Sequence, residues 1–420
     1  MVQTQQTLSR IAIIGAGAAG CFCAIEIKRR KPGCEVTVLE GGPKPLAKVA
    51  VTGGGRCNIT NSFAGIGNIS QAYPRGTQLM KRALIRFSQT DAWKWFESAG
   101  VPLVLQDDDC VFPQSQDAMD IVRALTRSMR SSGVNVLCRH KVRRIQSHGG
   151  QYEIEFEDTS LPSLIFDKVA VTSGGSPKKN GLAFLEPLSI DIEEPVPSLF
   201  TFNIDDSSLK SLMGAVVENA CVSLPGTKFK ACGPLLITDW GISGPSVLKL
   251  SSYAARHLNG CSYKAPVKIS WLGGANENSA MEMLRGMAEA DSRKKVSSVC
   301  PSGLSSRIWN HLLVRAALRD DIRWGEMGGK GMSRLAAVLT GDIYHISGRC
   351  HFKEEFVTCG GVSLSNIDIN TLESKKNPGL FFAGEVLDVD AITGGFNLQA
   401  AWSMGYIAAC SICDDDGSSC

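Results

Sequence analysis

Apolar residues first gather at positions 11–14, Ile-Ala-Ile-Ile, and stop at Gly15-Ala-Gly17-Ala18-Ala19-Gly20. A helical stretch follows, and a second apolar run, Val36-Thr-Val38-Leu39, ends on Glu40. Short apolar runs bounded by glycine turns predict buried strands of a parallel sheet joined through a helix. The same signature returns at 167–172, closing on Thr172-Ser173-Gly174-Gly175, and at 379–388, closing on Gly384-Glu385-Val-Leu-Asp388. Next comes Gly394-Gly395-Phe-Asn397-Leu398-Gln399, which opens a terminal helix. Between these parts the pattern changes. Residues 198–204, 235–238 and 267–272 read as strands separated by Gly and Pro turns, and 278–339 turns helical, with an apolar i, i+3, i+4 stripe at 306–316. Residues 78–145 predict two or three helices followed by strands at 134–137 and 141–145.

The spacing at the start is that of a dinucleotide-binding βαβ unit. Gly15 permits the tight turn, Gly17 lets backbone approach a pyrophosphate, and Gly20 allows close helix–strand packing. The helix N-terminus, with Ala18 and Ala19 in its first turn, presents N–H groups and a partial positive charge to phosphate. Glu40, twenty residues after Gly20, can accept both hydroxyls of an adenosine ribose. A second glycine-rich segment, Lys48-Val-Ala-Val-Thr-Gly53-Gly54-Gly55-Arg56-Cys57-Asn58-Ile-Thr60-Asn61, follows directly. Its glycines allow close approach to a ligand, Arg56 can meet phosphate, and Asn58 and Asn61 can hydrogen-bond a ring edge.

In order and spacing the three glycine-closed strands resemble flavoproteins of the glutathione-reductase type. The resemblance implies FAD rather than nicotinamide as the resident dinucleotide, with the late acid Glu385 on its ribitol and pyrophosphate and Ser173, Gly174, Gly384 and Asp388 also binding the cofactor. It also implies Gly395, Asn397 and Leu398 at a helix start beside flavin N1–O2, where the dipole would stabilise an anionic reduced ring. The adenine is expected on the backbone of Val142.

Thr-Gly-Gly-Gly-Arg-Cys-Asn-Ile-Thr-Asn, together with Phe112-Pro113-Gln-Ser115, Gly241-Ile-Ser243-Gly244-Pro245, Thr358-Cys-Gly360-Gly361-Val362 and Thr393-Gly-Gly-Phe-Asn397-Leu-Gln399, resembles a bacterial family over nearly the whole chain. The family is that of NAD(P)/FAD-dependent oxidoreductases of the BaiN-like and aminoacetone oxidase-like kind. Asp239 stands where its members usually carry His, and Cys110 where Arg often precedes Val-Phe-Pro. Both departures bear on substrate rather than cofactor. The implied fold is α/β: a glutathione-reductase-type FAD-binding Rossmann domain with an inserted β-rich, barrel-like subdomain and a small helical cap. The expected segments are 1–190 for the first part of the FAD domain, 191–345 for the insert and 346–420 for the return. The insert is expected to cover the flavin's open face.

Candidates for tuning flavin N5 are Lys48 and Asn58, the two residues expected to be catalytic, with Gly54, Gly55, Arg56 and Cys57 around the cofactor. The sequence singles out no proton donor; Tyr253, His345 and Asp239 are the candidates. Cys57 has Ser62 rather than cysteine five positions on, which excludes a dithiol relay, and Cys410-x-x-Cys413 reads as packing. Six histidines form no zinc-ligand spacing, so no metal is expected. There is no second strand-embedded GxGxxG, so NADH or NADPH would act as a transient electron donor without a domain of its own.

The chain has 420 residues, 44% hydrophobic and 20% charged, with net charge +3. That balance argues against nucleic acid or an anionic membrane as partner. No run reaches the ~18 apolar residues of a membrane span. Fifteen cysteines without framework spacing suggest reduced thiols and a cytoplasmic location. The leading expectation is hydride transfer between NAD(P)H and a small enone-like or ring substrate through non-covalent FAD, in a monomer or weak homodimer. The alternatives are an amine or aminoketone oxidase using oxygen, and a flavoprotein with an RNA-modification or regulatory role.

Overall fold

The computed structural model describes residues 8–349 and 357–414. The chain divides into two compact units, 1–197 with 357–420, and 198–356. In the larger unit β1 (Arg10–Ile14), β2 (Glu35–Glu40), β3 (Asn135–Cys138), β4 (Lys168–Val171) and β5 (Leu380–Phe382) form one sheet in the order β5-β4-β1-β2-β3. All its pairings are parallel. Four of five residues in β1 and all three in β5 are buried: the helices Ala18–Arg30 and Phe396–Cys413 pack on β1, β2 and β5, and the antiparallel strands Gln151–Phe156 and Leu164–Phe166 touch β4 and β1.

Helix α1 (Ala18–Arg30) leaves the glycine turn and collects Lys28, Arg29 and Arg30 in its last turn, where cations suit the dipole. The terminal helix α2 (Phe396–Cys413) packs along α1 and is buried around almost its whole circumference. The two helices touch closely at Gly405, where a Cβ would lie 2.8 Å from Ala19 O. Cys410 is buried and Cys413 half-buried, and burial pushes the Cys413 thiol up to about 12, so this pair packs rather than reacts.

Two expected strands belong elsewhere. Val142–His148 does not extend the parallel sheet; it joins Gln151–Phe156 and Leu164–Phe166 in an antiparallel meander. The strand expected at 198–204 is broken at Leu199, which has φ +56°: Ile192–Ser198 pairs with Val357–Val362, and only Phe202–Ile204 enters the smaller unit's barrel. That pairing keeps 191–197 with the larger unit, so the division falls at 197/198 and 356/357 rather than at 190/191 and 345/346.

The smaller unit is a closed six-stranded antiparallel barrel with helices. Phe202–Ile204, Gly241–Ser243, Lys230–Ile237, Val216–Ser223, Ala265–Ser270 and Asp342–Arg349 follow one another around it, and the last pairs with the first. Closure removes exposed sheet edges. Its longer helices are Glu277–Ala290, Ser306–Arg315 and Gly328–Gly341, with shorter ones at Ser207–Lys210, Pro245–Tyr253 and Ala255–Gly260. The stripe at Ile308, Trp309, Leu312 and Leu313 is buried core. Tyr253, His345 and Asp239 all lie in this unit. The expectation that all cysteines are reduced thiols needs correction: Cys221 and Cys232 face each other on adjacent strands and are joined as a disulfide. Among the described residues no helix is long and apolar enough to cross a membrane.

Candidate functional site

Strand ends and helix starts of the larger unit converge where an open parallel sheet binds ligands, at the C-terminal ends of its strands. Gly15 has φ +102°, and a Cβ there would stand 2.7 Å from Thr172 O, so the first turn lies directly against the end of β4. A Cβ on Gly20 would collide with Gly15 O and Thr172 Oγ1. Thr172 Oγ1 bridges this contact, 3.0 Å from Ile14 O and 2.9 Å from Gly15 O. At Gly17, by contrast, nothing lies within 4 Å of a Cβ position. The open space therefore sits at the N-terminus of α1, beside Ala18 and Ala19, where an anion is stabilised. A Cβ on Gly384, φ +83°, just past the end of β5, would stand 2.9 Å from the Ala19 Cβ.

Glu40 is half-buried, and both its oxygens hold backbone: Oε2 accepts from Ala16 N at 2.8 Å and Oε1 from Gly42 N at 2.6 Å. Each carboxylate oxygen keeps a second acceptor site for a ribose hydroxyl. Val142 lies on this side, two residues after His140, whose N–H reaches Glu40 O at 2.8 Å. Ser173 is exposed and Gly174 half-buried at the end of β4. A Cβ on Gly174, φ +77°, would be 3.9 Å from Glu385 Oε2 and 4.0 Å from Lys48 Nζ. Glu385 Oε1 accepts from Thr358 N at 2.9 Å, and Lys48 Nζ stands 3.9 Å from Oε2. Asp388, half-buried, follows the bridge between Val362 and Leu387 and donates its N–H to Val362 O at 2.9 Å. Thr358 and Thr172 are additions to the expected site; both sit inside motifs that the sequence displays.

The second glycine segment forms a left-handed turn, with φ +57°, +66° and +83° at Gly53, Gly54 and Gly55. Gly54 and Gly55 have nothing within 4 Å of their Cβ positions, so the turn faces open space. Arg56 and Asn58 differ from expectation here, and Cys57 packs beneath the turn. Arg56 does not aim at a phosphate: its guanidinium lies over the Phe112 ring at 4.5 Å. Cys57 is fully buried, and burial pushes its thiol up to about 12, so it supplies no thiolate. Asn58 was expected to donate to the ring edge. With its amide oriented to satisfy its neighbours, Nδ2 donates to Thr60 O at 2.8 Å and Val111 O at 3.2 Å, while Oδ1 accepts from Gly395 N at 3.2 Å. Both amide hydrogens are spent on backbone.

The residues after Asn58 are stitched to α2 as well. Trp402 Nε1 donates to Ile59 O at 2.9 Å, Thr60 Oγ1 to Gln399 Oε1 at 2.5 Å, and Asn61 Nδ2 to Gly394 O at 3.1 Å. Gly395, φ +88°, has no room for a side chain, since a Cβ would collide with Thr60 O. Asn397 turns back on its own loop, accepting from Ala391 N at 2.9 Å and donating to Ala391 O at 3.1 Å. Leu398, half-buried, lies in the first turn of α2. Below this start, Asp390 and Arg75 form a buried ion pair; burial opposes the Arg75 charge, but the hydrogen bonds and charge of Asp390 hold its pKa above the usual value.

The arrangement offers an open helix N-terminus at the start of α1, a hydrogen-bond acceptor at Glu40 placed for a ribose, and a glycine turn fixed to the start of α2. These features fit an FAD. The family model described as HI0933-like protein Rossmann domain matches residues 9–411. The chain belongs to the HI0933-like family. It is an FAD-dependent oxidoreductase with a Rossmann-type FAD-binding domain. It is 25% identical over 414 residues to a 3-dehydro-bile acid delta(4,6)-reductase of Clostridium scindens, covering 96% of this chain and 98% of the relative. It is 28% identical over 422 residues to a ribosomal RNA dihydrouridine synthase of Haemophilus influenzae, covering 95% and 97%. The corresponding synthase of Escherichia coli is 27% identical over 407 residues, covering 94% and 96%.

Proposed function

We propose that this HI0933-like protein reduces a carbon–carbon double bond conjugated to a carbonyl, with NADH or NADPH as the source of hydride. The observation that carries the proposal is the pair of activities named for its full-length relatives. The two delta(4,6) double bonds of a 3-dehydro bile acid and the C5=C6 bond of uridine are all electron-poor alkenes in conjugation with a carbonyl. Each gains one hydride and one proton. Bound FAD supplies the two-electron relay between nicotinamide and such a substrate.

In this reading the N-terminus of α1, at Gly17, Ala18 and Ala19, takes the pyrophosphate, and Glu40 takes the adenosine ribose. Glu385, positioned by Thr358 N, takes ribitol hydroxyls, with Lys48 as a cation at the edge of the site. The left-handed turn at 53–55 leaves backbone and no side chain against the ring. A small organic enone is the leading substrate class. Uridine in ribosomal RNA is the second, favoured by the names of two relatives.

The test is product analysis under anaerobic conditions. Purified protein is incubated with NADH or NADPH and either a 4-en-3-one steroid panel or unmodified ribosomal RNA, followed by mass spectrometry. The proposal expects a mass gain of two hydrogens on one of the two substrate classes, with equimolar nicotinamide oxidation. Nicotinamide oxidation that occurs only with oxygen, with neither substrate class reduced, overturns it in favour of an oxidase.

A further inference from the structure

Residues 58–61 each engage the segment that opens α2, by the bonds at Gly395, Ile59–Trp402, Thr60–Gln399 and Asn61–Gly394 described above. Gln399 and Ser403 carry this seam deeper: Gln399 Nε2 donates to Ser403 Oγ at 3.0 Å, and Ser403 Oγ to Phe87 O at 2.7 Å. Gln399, Ser403 and Thr60 are buried, so every broken bond leaves a polar group without water.

We propose that Asn58 is a positioning residue, the first bond of a polar seam that locks the left-handed glycine turn to the start of α2. The proposal rests on the FAD reading and adds how the cofactor's surroundings are fixed. Asn58 has two amide hydrogens, and both are accepted by Thr60 O and Val111 O, which leaves none for a ligand. Its Oδ1 receives the N–H of Gly395, the residue at which α2 begins in a left-handed conformation. A Cβ on Gly395 would sit 2.5 Å from the other end of that amide, the nitrogen that donates to Thr60 O. The glycine at 395 and the amide at 58 are thus matched in shape and in hydrogen bonding. The turn at 53–55 is built from glycines, which lose more freedom than other residues when ordered, and a seam beside it holds that order before a ligand arrives.

The test uses full-length protein saturated with FAD. Hydrogen exchange at the amides of 396–400 is expected to quicken at least about 10-fold in Asn58→Ala, because the helix start then opens locally. Thr60→Val should quicken the same amides and Thr60→Ser should restore them. On FAD affinity, Asn58→Ala and Gly395→Ala should be strongly non-additive, because they break one contact. Asn58→Ala and Glu40→Ala should multiply to within about twofold, as separated sites do. If Gly395→Ala does not fold, Thr60→Val replaces it in the cycle. Unchanged exchange at 396–400 in both Asn58→Ala and Thr60→Val, with FAD affinity or flavin reduction impaired in Asn58→Ala alone, overturns the proposal and makes Asn58 a direct ligand contact. None of these readouts depends on which substrate is reduced, so this inference and the proposed reaction fail separately.

Discussion

Glu40 Oε2 accepts the backbone N–H of Ala16 at 2.8 Å, so the ribose acid and the glycine turn form one hydrogen-bonded unit. Removing the carboxylate therefore removes both a ligand contact and a brace. Glu40→Ala should weaken FAD by more than 10-fold, since each charge-assisted bond contributes about 1.5–3 kcal/mol. Glu40→Gln keeps an acceptor and should lose less. Titration of apoprotein with FAD, followed by flavin fluorescence, measures both.

Gly17 and Gly20 should separate ligand binding from folding. Gly17→Ala meets no protein atom within 4 Å, so its melting temperature without FAD should stay close to that of the parent protein while FAD affinity falls. Gly20→Ala collides with Gly15 O and should lower the melting temperature even without FAD. Thermal melts with and without added FAD distinguish the two.

The Arg75–Asp390 pair is buried on both sides, with side-chain exposures of 16% and 0%. Asp390→Ala removes the carboxylate hydrogen-bonded to a largely buried guanidinium and should cost about 3–5 kcal/mol in a denaturant titration. A double replacement of both residues by apolar ones should cost less than the single change.

Burial raises the thiol pKa of Cys57 and of Cys413 to about 12. In the unfolded chain these thiols ionise near pH 9, in the folded protein only near 12. Their contribution to stability is complete below about pH 8 and is lost as pH rises from about 9 toward 12. Cys57→Ala should flatten that alkaline decline in stability measured by urea melts. Iodoacetamide at pH 7.5 should leave Cys57 unmodified in native protein.

The βαβ unit was legible because each of its parts is local. Apolar runs stop at glycines whose spacing is fixed by turn and phosphate geometry, and Glu40 follows at a set distance. The barrel was legible as short strands between Gly and Pro turns. The roles of Arg56 and Asn58 were not, because they depend on distant neighbours. Phe112 captures the guanidinium, and Gly395, far along the chain, captures the amide. The bond from Thr60 to Gln399 spans 339 positions, and no spacing rule reaches that far. The strand break at Leu199 was hidden for a related reason: an apolar run shows strand tendency but not which of two sheets will take each half.

Hydride transfer from nicotinamide through FAD to a conjugated alkene can be followed by rapid anaerobic mixing. The FAD-loaded protein is mixed first with NADH or NADPH, and the reduced protein then with a conjugated enone, with unmodified ribosomal RNA, or with oxygen. The visible absorption band of oxidised flavin is expected to bleach with one of the nicotinamides and to return fast on adding one of the two alkene-bearing substrates. Return of the band with oxygen alone, as fast as turnover and with neither alkene effective, would contradict it.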